Sequence, residues 1–272
     1  MARYQIAEWF GRPLESLPVP ERQSLAKSAL QGAPVPNCPF IHRNSPCSKK
    51  GGVCSIRGPS GPPVTICPKR LAEADTVPKW LARIAGFREV YMAREVPFMK
   101  SPITGRPAGR IDLVIAGDRE AASWFGLEVQ AVYFSGSGMR ADFEQLLLSD
   151  TAEVPQPTAN RRPDWRSSSA KRLMPQLQVK GPTMRRRGAK LAVAVDQPFF
   201  DAIGGPSRTA STDLNDGDII WLVVRVNPEF RLIPHHWEVL SLEASCEKLI
   251  SAETIKRHEF ESNLRQRLSR LP

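Results

Sequence analysis

Long apolar runs are missing from this 272-residue sequence. A bilayer-spanning helix needs ~20 consecutive apolar residues, so no membrane span is expected. The first ten residues carry Arg3 and no apolar stretch, so no secretory signal is expected, and a cytoplasmic, reducing setting follows. Gly51-Gly52 is not followed by Gly-Lys-Ser/Thr, which excludes a phosphate-binding P-loop. There is no internal repeat, no Ser/His/Asp arrangement and no Cys-x-x-Cys knuckle. What is present is enough apolar residue, 41%, to bury a core. Lys and Arg number 38 against 28 Asp and Glu, a net charge of +10 that favours a polyanionic partner.

The stretch from Gly109 to Phe134 organises the chain. Apolar-rich runs at Ile111–Ala116 and Trp124–Phe134 flank the polar turn Gly117-Asp118-Arg119-Glu120, the pattern of two neighbouring strands. Glu128 and Gln130 lie two apart on the second strand and therefore share a face. Asp112, early in the first strand, joins them if the strand ends lie side by side. Two close carboxylates repel when ionised, and a hard divalent cation such as Mg²⁺ relieves this and starts metal-assisted phosphodiester hydrolysis. The competing reading is a half-exposed hairpin with ordinary surface acids.

Residues 32–70 are rich in Gly, Pro and Cys and follow neither a helical nor a strand period. Such a segment buries too little apolar surface to order itself. It holds Cys38, Cys47, Cys54 and Cys67, separated by eight, six and twelve residues. Four thiolates can close a tetrahedral structural site whose metal supplies the missing folding energy, and the donor pattern favours Zn²⁺ over buried thiols or redox chemistry. His42 is a rival ligand, and Cys246 reads as a small buried residue.

Around these regions the sequence predicts helices over Glu21–Gln31, Val77–Ala85, Met139–Ser149 and Asp196–Ile203. It predicts strands over Phe87–Phe98, Lys190–Val195, Asp218–Val226 and Phe230–Leu240. Helical pattern resumes at Ser241, ending in basic residues Arg265, Arg267 and Arg270. Between residues 161 and 190 lie ten basic residues against the single acid Asp164, so the excess charge is concentrated there. Arg161, Arg162, Arg166, Lys171, Arg172, Arg185, Arg186 and Arg187, with Gln176, are candidates for contacts to DNA phosphates and base edges, set against a plain solvated helix face. The expected fold is α/β, a central mixed sheet flanked by helices. A four-cysteine module occupies residues 1–75 and the core with its basic segment residues 76–272.

The order Asp112, a gap, then Glu128-x-Gln130 resembles the PD-(D/E)xK nuclease superfamily, with glutamine where lysine is usual. The segments at Cys38–Phe40, Gly51–Ser55, Cys67–Arg70, Gly109–Ile115, Leu127–Gly136 and Arg161–Leu177 resemble, in one order, the NotI-type restriction endonucleases. The resemblance implies a restriction-endonuclease-like core and site-specific, Mg²⁺-dependent hydrolysis of double-stranded DNA. It implies a homodimer, and a cognate DNA methyltransferase that forms no stable complex with it. It also implies iron in the four-cysteine site, where the residue pattern alone favours zinc. Asp112 and Glu128 would hold Mg²⁺ with the Val129 carbonyl, and Glu95, preferred to Glu89, would complete the site. Gln130 cannot supply charge, so it would orient water, leaving the missing cation to a second metal or an arginine. A repair or RNA nuclease, or a DNA-binding module with a decayed acidic triplet, are the alternatives.

Overall fold

A computed structural model of the chain describes all residues except 1–2, 33–34, 42–44, 50, 137, 159, 251–254 and 270–272, so His42 and Arg270 lie outside the described residues. The N-terminal part contains strand β1 (Gln5–Trp9), β2 (Arg12–Pro13), helix α1 (Val19–Gln31), β3 (Val53–Arg57) and β4 (Val64–Thr65). These strands form a four-stranded sheet in the order β2-β1-β3-β4. The irregular composition of residues 1–70 gave no sign of it. Its strands are two to five residues long, and their pairing is long-range, with Trp9 opposite Val53. Local periodicity carries little information on such a sheet.

The main body follows in chain order: α2 (Thr76–Ile84), β5 (Tyr91–Lys100), β6 (Pro107–Ala116), β7 (Trp124–Val129), β8 (Tyr133–Gly136), α3 (Arg140–Leu148) and β9 (Arg161–Asp164). It continues with α4 (Trp165–Ser168), α5 (Met174–Arg186), β10 (Lys190–Asp196), α6 (Gln197–Ala202), β11 (Ile219–Val226), β12 (Leu232–Leu240), α7 (Leu242–Ile250) and α8 (Arg257–Arg267). Six strands form the central sheet in the order β12-β11-β10-β7-β6-β5. β7, β10 and β11 run parallel, and antiparallel pairs complete each side, so the sheet is mixed as expected. The all-apolar runs in β10 and β11 suit strands covered on both faces. Alternate residues serve two cores. Leu191, Val193, Trp221 and Val223 face one cluster, shared with Leu177 and Met184 of α5 and with Ile6 and Trp9 of the small sheet. Ala192, Ala194, Ile220 and Leu222 face the other, with Val77 and Leu81 of α2.

The strand expected over Trp124–Phe134 breaks after Val129. The Gln130 N–H still donates to the Ala194 carbonyl (2.9 Å), but the Val132 N–H donates to the Thr65 carbonyl of β4 (2.8 Å). β8 then pairs with β9 in a separate two-stranded sheet. Tertiary partners thus redirect a locally strand-like segment.

Two polar links tie the N-terminal sheet to the body. Arg70, fully buried, donates to Glu8 Oε2 (2.8 Å), Glu73 Oε2 (2.8 Å) and the Phe230 carbonyl (2.7 Å). Asp196, at the end of β10, accepts from the Thr65 N–H (2.5 Å) and caps α6 by accepting from the Phe199 N–H (3.0 Å). Burial raises its pKa from 3.8 to about 6 despite those two donors. A carboxyl whose folded pKa is raised contributes stability that is complete below the unfolded value and lost as pH rises through the folded one. The wild-type protein should therefore lose up to about 3 kcal/mol through this group between pH 4 and 7. In Asp196→Asn that part of the pH dependence should vanish, which denaturant unfolding of both proteins across this range checks.

Candidate active site

β6 and β7 pair from Ala116–Trp124 to Leu113–Leu127 and then separate. At the parting β6 rolls over, since Ile111 enters one core cluster and Leu113 the other. One register step past the last pair, Asp112 and Glu128 stand opposite each other. Their carboxylates fill the opening. The Val129 N–H donates to Asp112 Oδ2 (3.0 Å), and the Asp112 N–H donates to Glu128 Oε1 (3.4 Å). Each side chain is fixed by the other's strand. Glu128 is 1% exposed, and burial, then the neighbouring Asp112, raises its pKa from 4.5 to about 7 against the opposing pull of Lys180.

Lys180 is the residue that sequence reasoning missed. Its Nζ lies 2.5 Å from Glu128 Oε2 in an ion pair and donates to Gln176 Oε1 at 3.1 Å. The helix packs on β7 at Gly126, where a Cβ would stand 2.4 Å from Met184 Cε, the flexible end of that side chain. Lys180 is one turn before Met184. A signal was available: Leu173, Leu177, Lys180 and Met184 recur at helical spacing and are all buried, so a lysine occupies an apolar stripe. A lysine from another element thus stands beside Glu128, where a second metal or an arginine was expected from the sequence.

Gln130, 7% exposed, donates from its side chain to the neighbouring Ala131 carbonyl. A cleft of about 650 Å³ opens over these residues and is lined by Asp112, Glu95, Gln130, Gln176, Lys69 and Arg172, among others. The Arg172 guanidinium lies 3.5 Å from the centre of the Tyr133 ring. Asp112 thus faces a cleft with Lys49, Lys69, Arg94 and Arg172 in its walls, and Glu128 lies buried behind it.

Glu95 falls across from Asp112 in the β5–β6 register, between the pairs Arg94–Leu113 and Val96–Ile111. Its backbone is left-handed, with φ +52°, a strained conformation for glutamate. The twist turns its carboxylate toward Arg110 (3.9 Å) at an exposed position on the cleft wall. Glu89 bonds the Tyr91 hydroxyl instead.

The basic segment divides. Arg162, Arg166, Lys171, Arg172, Arg186 and Arg187 are exposed. Arg161 is 1% exposed and salt-bridged to Asp142, so it does not reach the surface, and Arg185 is held by Asp218 (2.6 Å).

The four cysteines require a correction. Among the described residues no three His, Cys, Asp or Glu side chains are grouped closely enough to hold a metal ion, so the expected four-thiolate set is not assembled. They come from separate elements, though Cys38 and Cys54 share one small buried cluster with Phe40. Cys38 and Cys47 flank the Asn37–Pro46 bridge, whereas Cys54 lies on β3 and Cys67 follows β4. The two pairs are nevertheless within electrostatic reach. Burial chiefly raises the Cys47 and Cys54 pKa values, and neighbouring thiols add to it: Cys38 and Cys67 for Cys47, Cys67 and Cys47 for Cys54. Soft donors in this number fit Zn²⁺ or iron chemically, and the acid pair fits a hard cation.

The fold is a mixed α/β sheet with an Asp and a Glu facing each other at strand ends, the Asp opening into a cleft with cationic walls. The family model of restriction endonuclease NotI matches residues 22–236. The chain belongs to the NotI restriction endonuclease family, and so to the DNA-cleaving hydrolases. No curated protein matches it, and among the described residues no helix is long and apolar enough to cross a membrane.

The two arginine environments give opposite expectations. Arg161→Ala strands the buried Asp142 and should cost about 3 kcal/mol or more. Arg172→Ala should change stability by less than about 0.5 kcal/mol and weaken DNA binding. Equilibrium unfolding and fluorescence anisotropy with duplex DNA check both.

Proposed function

We propose that this chain is a type II restriction enzyme that hydrolyses double-stranded DNA at a specific sequence with Mg²⁺. The observation that carries the reading is the Asp112–Glu128 pair, cross-bonded at parting strand ends and backed by a buried lysine. Asp112 and Glu128, with the Val129 carbonyl, are the residues that would hold the cation. When bound, a divalent cation supplies Lewis-acid neutralisation of phosphate charge and lowers the pKa of water. Lys180 holds the Glu128 carboxylate in place and keeps one fixed positive charge beside it. Gln130 aligns water by hydrogen bonding. Arg172, Lys69 and the exposed arginines of the basic segment hold the DNA backbone, and Glu95 adds a carboxylate at the rim. Two active sites, one per strand, call for a homodimer. A cognate methyltransferase would protect host DNA without a stable complex.

The four cysteines are proposed to draw together around one structural iron or zinc ion, which would order the Gly/Pro-rich segment. Elemental analysis of the purified protein should find one such ion per chain, coloured if iron and colourless if zinc. Cys54→Ser should lose it and lower the unfolding temperature.

The central test is digestion of plasmid DNA with Mg²⁺, followed by sequencing of the ends. One recurrent sequence at the ends is the expected result; scattered ends point to a non-restriction nuclease. Asp112→Ala and Glu128→Ala should remove cleavage while binding in Ca²⁺ persists. Wild-type binding without cutting would identify a DNA-binding module. Lys180→Met should lower kcat on the order of 10²-fold and raise the Mg²⁺ concentration needed for half-maximal rate, with KM for DNA little changed.

A further inference from the structure

The β5–β6 hairpin is longer than the sheet that carries it. β6 bonds β7 only from Leu113 onward, so Pro107–Asp112 has β5 as its strand partner. Residues Met92–Glu95 and Met99–Lys100 on β5, and Pro107, Ala108 and Arg110 on β6, are exposed. A free two-stranded ribbon is marginal in water, yet this one is built firmly. Midway along it Phe98 packs over Gly109, where a Cβ would stand 2.6 Å from the ring. The same ring has Lys180 Nζ 6.0 Å from its centre. At its tip, Ser101 Oγ accepts from the Ile103 and Thr104 N–H groups (3.3 and 3.2 Å), and the Ser101 N–H donates to the Arg106 carbonyl (2.8 Å). That turn presents Ile103 at 92% exposure.

The ribbon's charge is one-sided. Between Tyr91 and Arg110 stand Arg94, Lys100, Arg106 and Arg110 against Glu95 alone. Arg94 turns back to Asp75 (3.1 Å) and Arg110 pairs loosely with Glu95 (3.9 Å), while Lys100 and Arg106 are exposed at the far end. The near end is the cleft itself, because Arg94, Glu95 and Asp112 line it. From Asp112 to the end of β6 at Pro107 the chain runs roughly 17 Å at the strand rise. That is about five base-pair steps at roughly 3.4 Å each. A β-ribbon also has a width the major groove admits.

We propose that this ribbon is a second DNA-holding element, distinct from the basic segment. It lies along the duplex to one side of the cut phosphate, with Lys100 and Arg106 on backbone phosphates about five steps away and the Ile103 turn against the bases. A second copy of the chain is a poorer occupant, since the ribbon would meet a protein of the same net sign. The proposal rests on the nuclease reading above.

The test uses the full-length enzyme with Ca²⁺ in place of Mg²⁺ and a duplex bearing the sequence the wild type cuts. Lys100→Ala/Arg106→Ala should weaken binding about tenfold near 0.15 M salt and flatten the slope of log K against log salt by about 2. Trimming the duplex to fewer than five base pairs beyond the cut, on the ribbon's side, should bring the wild type down to the variant's affinity. If the wild type binds the duplex and the variant binds it equally well with the same slope, the ribbon does not hold DNA. If the variant instead changes the oligomeric state, the ribbon is a subunit contact and the proposal is overturned. Failure of the wild type to bind any duplex would count against the nuclease reading itself.

Discussion

The separation of β6 from β7 before Leu113 is the constraint from which the site follows. Two strands that part leave backbone donors without a ladder partner, and buried donors need acceptors. Here the acceptors are the carboxylates of Asp112 and Glu128, each bonded across the gap to the opposite strand. Satisfying the backbone and gathering two acids are therefore one event. Gathering them is costly, since Glu128 is buried beside Asp112 and its pKa rises to about 7. Lys180 offsets the cost from one side, and a bound cation would offset it from the other.

The position of Lys180 makes the central sheet and helix α5 interdependent. Met184 lies over Gly126 on β7, and the helix, one turn earlier, brings the ammonium to Glu128. On the opposite side Phe98 of the ribbon lies near the same ammonium. The cysteine-bearing segment reaches the same region through Thr65, which bonds both Val132, just beyond Gln130, and Asp196. Ordering that segment thus supports the end of the strand that carries Glu128.

Charge is sorted by burial as much as by sequence position. The basic segment looks uniform along the chain, yet Arg161 and Lys180 are spent on buried acids and Arg185 on Asp218. Of the remaining cations, Arg172 of the basic segment and Arg94 of the ribbon line the cleft. The cleft walls carry Lys49, Lys69, Arg94 and Arg172, and its acids are Asp112 and, on the wall, Glu95.

Much of the fold was legible in the sequence. The runs in β10 and β11, the α2 stripe and the Asp112/Glu128-x-Gln130 spacing reflect local periodicity, which burial on one or two faces imposes directly on neighbouring residues. Three features were decided by tertiary structure. The small N-terminal sheet depends on pairing between Trp9 and Val53, far apart in sequence. The strand through Gln130 ends where Thr65 captures Val132. Lys180 becomes part of the site because α5 crosses β7, fifty-two residues after Glu128. Amino-acid order by itself determined which carboxylates could meet, because alternation along a strand is a property of the backbone. Only packing determined which cation meets them, because that contact is made between elements whose separation in sequence carries no periodic trace.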